Sequence, residues 1–175
     1  IRFPDGSERQ FAKGVNGHEI AEAISSSLKK RSIVMRVNDD LFDLNRPINE
    51  SATIAFITTE DPEALSVLRH SAAHLLAEAI KSLYPQACFG VGPAIEEGFY
   101  YDIDLGDVVL TEADLSSIEK VMGKLSADNQ EIKRRVVSKQ EAIAVFSQDP
   151  YKLELIHELP EGEEISLYSQ AHFTD

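Results

Sequence analysis

The first sixty positions alternate short apolar runs with turn residues, and only one stretch keeps a helical period. Residues 1–3 (IRF) and 8–12 (ERQFA) flank Pro4-Asp5-Gly6-Ser7, and an Asp-Gly pair between such runs predicts a hairpin. Ile20, Ala23, Ile24 and Leu28 then recur three and four apart, which predicts a helix from about Gly17 to Lys30. Its last turn carries Lys29, Lys30 and Arg31, cations that suit the negative end of a helix dipole. Residues 33–37 (IVMRV), 41–44 (LFDL) and 53–57 (TIAFI) read as three more strands. A hairpin, one helix and then short strands is the element order of a β-grasp fold.

From residue 58 the pattern changes. The polar stretch 58–64 (TTEDPEA) is the expected domain boundary, giving domains over 1–60 and 61–175. Asp61 is placed to cap a helix with Pro62 in its first turn, and Tyr84-Pro85 should stop it after Leu83. Residues 88–105 alternate glycines with aromatics, which predicts two strands around a Gly-Pro turn. Residues 110–130 read as a helix opened by Thr111 with Asp114 three positions on, and 131–138 as a strand. Ser138 with Glu141 should cap a short helix, 149–159 fits neither period, and 165–175 reads as a strand. The expected class is α+β.

Composition adds limits to this picture. Hydrophobic residues make up 43% and charged residues 27%, the balance of an ordinary globular protein rather than a disordered chain. No apolar run approaches a membrane span of ~20 residues, and no signal-peptide pattern opens the chain. One cysteine, Cys88, closes no internal disulfide, which fits a reducing cytoplasm. The first residue is Ile rather than Met and the last residues are HFTD, so a piece of something longer is expected. The formal charge of −13 is uneven: residues 1–60 hold 9 acids and 8 bases, residues 61–175 hold 21 acids and 9 bases. A domain that acidic is not held to nucleic acid by bulk electrostatics, since phosphate contacts need Lys and Arg.

The candidate chemistry lies in residues 69–80 (RHSAAHLLAEAI), where His70 and His74 stand four apart on a predicted helix. At about 100° per residue, Leu65, Leu68, Ala72, Leu76, Ala79 and Leu83 form one stripe, the expected core face. The two histidines fall almost opposite it, beside Ala73 and Ala77. Three readings remain open on spacing alone: a pair with no role, half of a zinc site completed by a third ligand such as Cys88 or His172, and metal-free acid–base chemistry near neutral pH. Tyr100-Tyr101-Asp102, Lys152 in DPYK, and His172 with Asp175 are the other polar candidates. Gly90-Val91-Gly92 lacks the third glycine and the helix of a nucleotide loop.

Several motifs converge on one family. FPDGSERQF, RVND and the β-grasp order resemble a TGS domain, and RHSAAHLLAEAIKSLYP followed by GVGPAIEEGFYYDID resembles the editing domain of bacterial threonyl-tRNA synthetases. The resemblance covers essentially the whole chain. It implies a second domain with a long helix carrying the His pair, packed on an antiparallel sheet and truncated at its C-terminal end. In that family the pair is completed by a Cys and a His downstream of an Asp matching Asp175, and this sequence stops there.

The implied activity is hydrolysis of Ser-tRNA(Thr), in an enzyme that elsewhere attaches threonine to its tRNA with ATP. A pocket that admits threonine cannot reject serine, one methyl smaller, by more than ~10–200-fold, so a second site must cleave the wrong ester. The roles implied are His70, His74 and Lys152 as catalytic groups and Tyr101 and Asp175 as substrate-binding groups, with no metal in this region. ATP, Mg2+ and a zinc ion would belong to a separate synthetic domain. The implied partners are the acceptor end of tRNA(Thr) and a second subunit joined through other domains, with no membrane and a cytoplasmic location. Two alternatives stand beside this: a TGS-containing RNA-binding or regulatory module without catalysis, and a zinc-dependent aminoacyl-tRNA deacylase.

Overall fold

Asn16 opens the first helix through a reciprocal cap, its side chain accepting from the Glu19 N–H while Glu19 accepts from the Asn16 N–H. In this computed structural model, which describes residues 1–170 and 173–175, that helix α1 spans Gly17–Ile24 and stops before the expected end. Ser25 is extended, ends α1 through a bond to Ala21, and starts a second helix α2, Ser26–Arg31, by accepting from the Leu28 N–H. Three consecutive serines explain the break, because their hydroxyls compete for backbone partners and favour caps over helix interiors.

The chain divides into two compact units, Ile1–Leu68 and Arg69–Asp175. In the first, β1 (Ser32–Val37) lies between β2 (Asp40–Asp43) and β3 (Ile54–Thr58), antiparallel to both. The expected N-terminal hairpin is reduced to a single antiparallel bridge between Arg2 and Glu8, and Arg2 also bridges Thr53 in parallel. Phe3, Ile20, Met35, Val37, Leu44, Ile48 and Ile54 form its core. Gly17 is required there, since a Cβ would fall 2.9 Å from the Met35 sulfur and 3.0 Å from Leu44. The fold is mixed α+β.

Helix α3 spans Pro62–Leu83 and ends where Tyr84-Pro85 predicts. Asp61 does not cap it: its carboxylate turns back to accept from the Thr58 N–H and hydroxyl. The expected core stripe is also corrected. Leu65, Leu68 and Leu83 are 51%, 47% and 38% exposed, whereas Ala73, Ala77 and Ile80 are buried. Of the stripe, Ala79 is buried and Leu76 packs at the edge of the core. The helix therefore buries the alanine side next to the histidines. Short side chains let neighbouring backbone approach closely, and a count of apolar positions weighted toward leucine misses that.

In the second unit the expected pair of strands over 88–105 is four two-residue strands. β4 (Cys88–Phe89) pairs with β7 (Ile103–Asp104), and β5 (Ala94–Ile95) pairs with β6 (Gly98–Phe99) inside it. Gly90, Gly92 and Pro93 interrupt the ladder, because proline has no N–H to give and glycine orders poorly. Helix α4 (Glu112–Ala127) starts at the Thr111–Asp114 capping box, and α5 (Lys139–Val145) at Ser138–Glu141. Residues 149–159, which fit neither period, contain α6 (Pro150–Glu158). The last stretch is not one strand: β10 (Phe173–Thr174) pairs antiparallel with β9 (Ile165–Gln170), which pairs with β8 (Ile132–Val137). Ala171 and His172 lie outside the described residues. No described helix is long and apolar enough to cross a membrane.

Candidate functional site

The site is assembled from four elements of the second unit. Helix α3 carries His70 and His74 one turn apart, with their Nε2 atoms 3.1 Å from each other and the rings edge to face. His70 is exposed, while the His74 side chain is 18% exposed and its ring centroid lies 6.3 Å from that of Tyr168. Helix α6 carries Lys152 in its first turn. Asp149 caps that helix, accepting from the Tyr151 and Lys152 N–H groups with Oδ1 and from the Phe89 N–H with Oδ2. One carboxylate thus ties the start of α6 to β4. Asp175 follows β10 and is held by two backbone bonds to Tyr168, of 2.8 and 2.9 Å.

Asp175 is the hub of the cluster. Its Oδ2 accepts from the Tyr101 hydroxyl at 2.7 Å and lies 3.5 Å from His74 Nδ1, and its Oδ1 pairs with the Lys152 ammonium. Tyr101 follows β6, and Lys152 Nζ lies 5.8 Å from its ring centroid. Tyr101 packs edge to face on Phe89, which also packs on Phe173. A cavity of ≈ 370 Å³ reaches Lys152 and Asp175 and is lined by Phe89, Phe146, Phe173 and Asp149.

Burial sets the protonation states. It depresses the His74 pKa, and the charges of His70 and Lys152 act in the same direction against the pull of Asp175. His74 is therefore a neutral imidazole near pH 7, able to accept a proton. Burial raises the Tyr101 pKa strongly, followed by the Asp175 charge and the hydrogen bond to it. The phenol stays protonated and stays a donor. The set thus offers a neutral base, a lysine cation and a carboxylate able to receive a second cation. These groups fit attack of water on a carbonyl whose neighbouring group is an ammonium.

His70, His74, Tyr101, Lys152 and Asp175, all singled out in the sequence, are brought together. Cys88 is not: its sulfur lies beside the Gln86 and Gln148 carbonyls, and burial with Asp149 raises its pKa. His172, the other proposed third ligand, lies outside the described residues. Among the described residues no group of three or more His, Cys, Asp or Glu stands placed to hold a metal ion. Sequence reasoning missed Asp149, Tyr168 and Gly92. A Cβ on Gly92 would fall 2.5 Å from two carbons of the Tyr101 ring, so this glycine makes room for the tyrosine. Glycine close to a run of aromatics was the available signal; Asp149 was readable as a cap before Pro150.

The TGS domain family matches residues 1–58. A threonine--tRNA ligase of Staphylococcus carnosus is 49% identical over 175 residues, covering 100% of this chain and 27% of the relative. The threonine--tRNA ligases of Anoxybacillus flavithermus and of a Geobacillus species are 49% and 50% identical over 177 residues, with the same coverage. The chain thus spans about a quarter of the length of these relatives. It opens with a TGS domain and is related over its entire length to the N-terminal region of threonine--tRNA ligases.

Proposed function

We propose that the second unit carries an editing site that hydrolyses seryl-tRNA mischarged on the tRNA for threonine. The observation that carries this reading is the convergence of the two histidines, Lys152, Tyr101 and one carboxylate, Asp175, from four separate elements. Asp175 receives the ammonium of the seryl group, with Tyr101 fixing the carboxylate's orientation. The His70–His74 pair takes a proton from the attacking water. The new bond forms between the water oxygen and the ester carbonyl, Lys152 stabilises the charge on the carbonyl oxygen, and the bond to the ribose oxygen breaks. The imidazolium gives that proton to the departing ribose oxygen, which leaves as a hydroxyl, so the cycle closes with serine and intact tRNA.

On the same reading the longer protein attaches threonine to this tRNA with ATP, works in the cytoplasm, and dimerises through other domains. The acceptor end of the tRNA is the partner of this site.

Deacylation of Ser-tRNA(Thr) by the full-length protein tests the assignment. His70→Ala and Lys152→Ala should each lower the rate by about 10²-fold or more, the usual contribution of a positioned acid–base or charge-stabilising group. Hydrolysis at the wild-type rate in both variants would overturn it. Metal analysis of the same protein addresses the zinc-dependent alternative, which stoichiometric zinc on His70 and His74 would favour.

A further inference from the structure

Residues 61–175 hold only nine bases, and four of them, Lys133, Arg134, Arg135 and Lys139, fall within seven positions on β8 and the start of α5. In sheet order β10-β9-β8, β8 is one of the two outer strands among the described residues. Charges on an edge strand discourage pairing with another chain, and that accounts for bases there in general. Arg134 has a more particular position. Its cross-strand partner is Tyr168, and Tyr168 is in turn backbone-paired with Asp175. Directly paired residues project to the same face of a sheet. Arg134, Tyr168 and Asp175 thus form one row across three chain segments, on the face where Tyr168 meets the His74 ring. At ~4.8 Å per strand spacing, Arg134 stands about 10 Å from Asp175 along that row.

The Arg134 side chain is 21% exposed and pairs with Glu164, whose own side chain is 62% exposed, at 2.8 Å. The hydrogen bond to Glu164, with Tyr168 assisting, keeps the guanidinium fully charged. The carboxylate that holds this guanidinium is itself solvated and can give way to a phosphate, whose geometry the guanidinium matches bidentately. Lys139 is committed elsewhere, to the carbonyls of His157 and Leu159.

We infer that Arg134 is the phosphate-binding residue of this site: it holds the backbone phosphate of the 3′-terminal nucleotide while the ester lies against the histidines, Lys152 and Asp175. The inference rests on the editing reading for the identity of the ester. Recognition of the phosphate itself follows from the row Arg134–Tyr168–Asp175. Glu164 acts as a place-holder that the phosphate displaces.

Two measurements on the full-length protein separate the inference from the reading it rests on. The first is hydrolysis of 3′-O-seryl-adenosine with and without a 5′-phosphate. Arg134→Gln should raise KM about tenfold for the phosphorylated substrate, leave KM for the unphosphorylated one unchanged, and leave kcat unchanged in both. Arg134→Lys should recover part of the loss, and Glu164→Gln should lower KM for the phosphorylated substrate, whereas a raised KM there would overturn the place-holder role of Glu164. The second is binding of an RNA minihelix ending in CCA and bearing a non-hydrolysable 3′-seryl amide. Arg134→Gln should weaken it about tenfold and flatten the salt dependence by roughly one contact's worth, about 0.7 in the log–log slope. A wild-type protein that binds the minihelix in this Arg134-dependent way yet hydrolyses neither seryl ester would overturn the editing reading and keep the phosphate site. Equal effects of Arg134→Gln on both small substrates, or no effect on minihelix binding, would overturn the phosphate site.

Discussion

Burial acts in opposite senses on the two titratable groups flanking Asp175, and the difference matters for function. For Tyr101 it suppresses loss of a proton, and for His74 it suppresses gain of one. Asp175 therefore sits between a permanent donor and a neutral ring, and Lys152 supplies the positive charge beside it. The His74 shift also links to stability. Its folded pKa lies below the ordinary value near 6.5, so between those two values the unfolded chain binds more protons than the folded one. Folding stability must fall as the pH drops through that window. The unfolding temperature of the wild type should decline more steeply as the pH falls below about 6.5 than that of His74→Asn, which keeps a polar group and does not titrate. Parallel curves from thermal denaturation across this range would remove burial of neutral His74 as the cause. Gly92 belongs to the same scale, because its missing side chain is what allows Tyr101 to reach Asp175.

At the scale of elements, the caps were the most legible feature and the helix faces the least. Thr111 with Asp114 and Ser138 with Glu141 form the reciprocal caps that their spacing predicts, since capping depends on residues three apart. Asp61 had the same chemistry but a nearer partner in Thr58, and local geometry decided against the helix. His70 and His74 stood out by their spacing on a helix, whereas Tyr101, Lys152 and Asp175 were given roles by the family resemblance; the contacts that join them at Asp175 were not legible, because they depend on pairing between segments far apart in sequence. The buried face of α3 was misread since alanine contributes little to an apolar count yet marks the closest approach of backbones. This predicts unequal responses on one helix. Ala77→Leu should destabilise by about 1–3 kcal/mol through overpacking, whereas Leu83→Ala should stay within about 0.5 kcal/mol. Urea titration distinguishes the two cases, and a large loss at Leu83 with tolerance at Ala77 would restore the leucine stripe as the core.

At the scale of the whole chain, charge is the property that most constrains how the RNA end of the proposed substrate would reach this site. The chain is 13 units negative, and the imbalance lies almost wholly after residue 60. On the editing reading, a long track of phosphate contacts within these 175 residues is therefore out of reach, and the proposed hold of Arg134 with one or two neighbouring basic side chains is what their charge distribution allows. Each single-strand phosphate contact contributes about −0.7 to the slope of log affinity against log salt. Two or three contacts give a slope of about −1.4 to −2.1, so affinity for a CCA-ended RNA should fall about 7- to 18-fold between 50 and 200 mM salt. A protein with six to ten contacts would lose about 10³–10⁵ over the same interval. Fluorescence anisotropy of a labelled minihelix across that salt range measures the slope directly. A steep slope would mean that bases outside β8 grip the RNA, and the single-phosphate view of Arg134 would give way to an extended one.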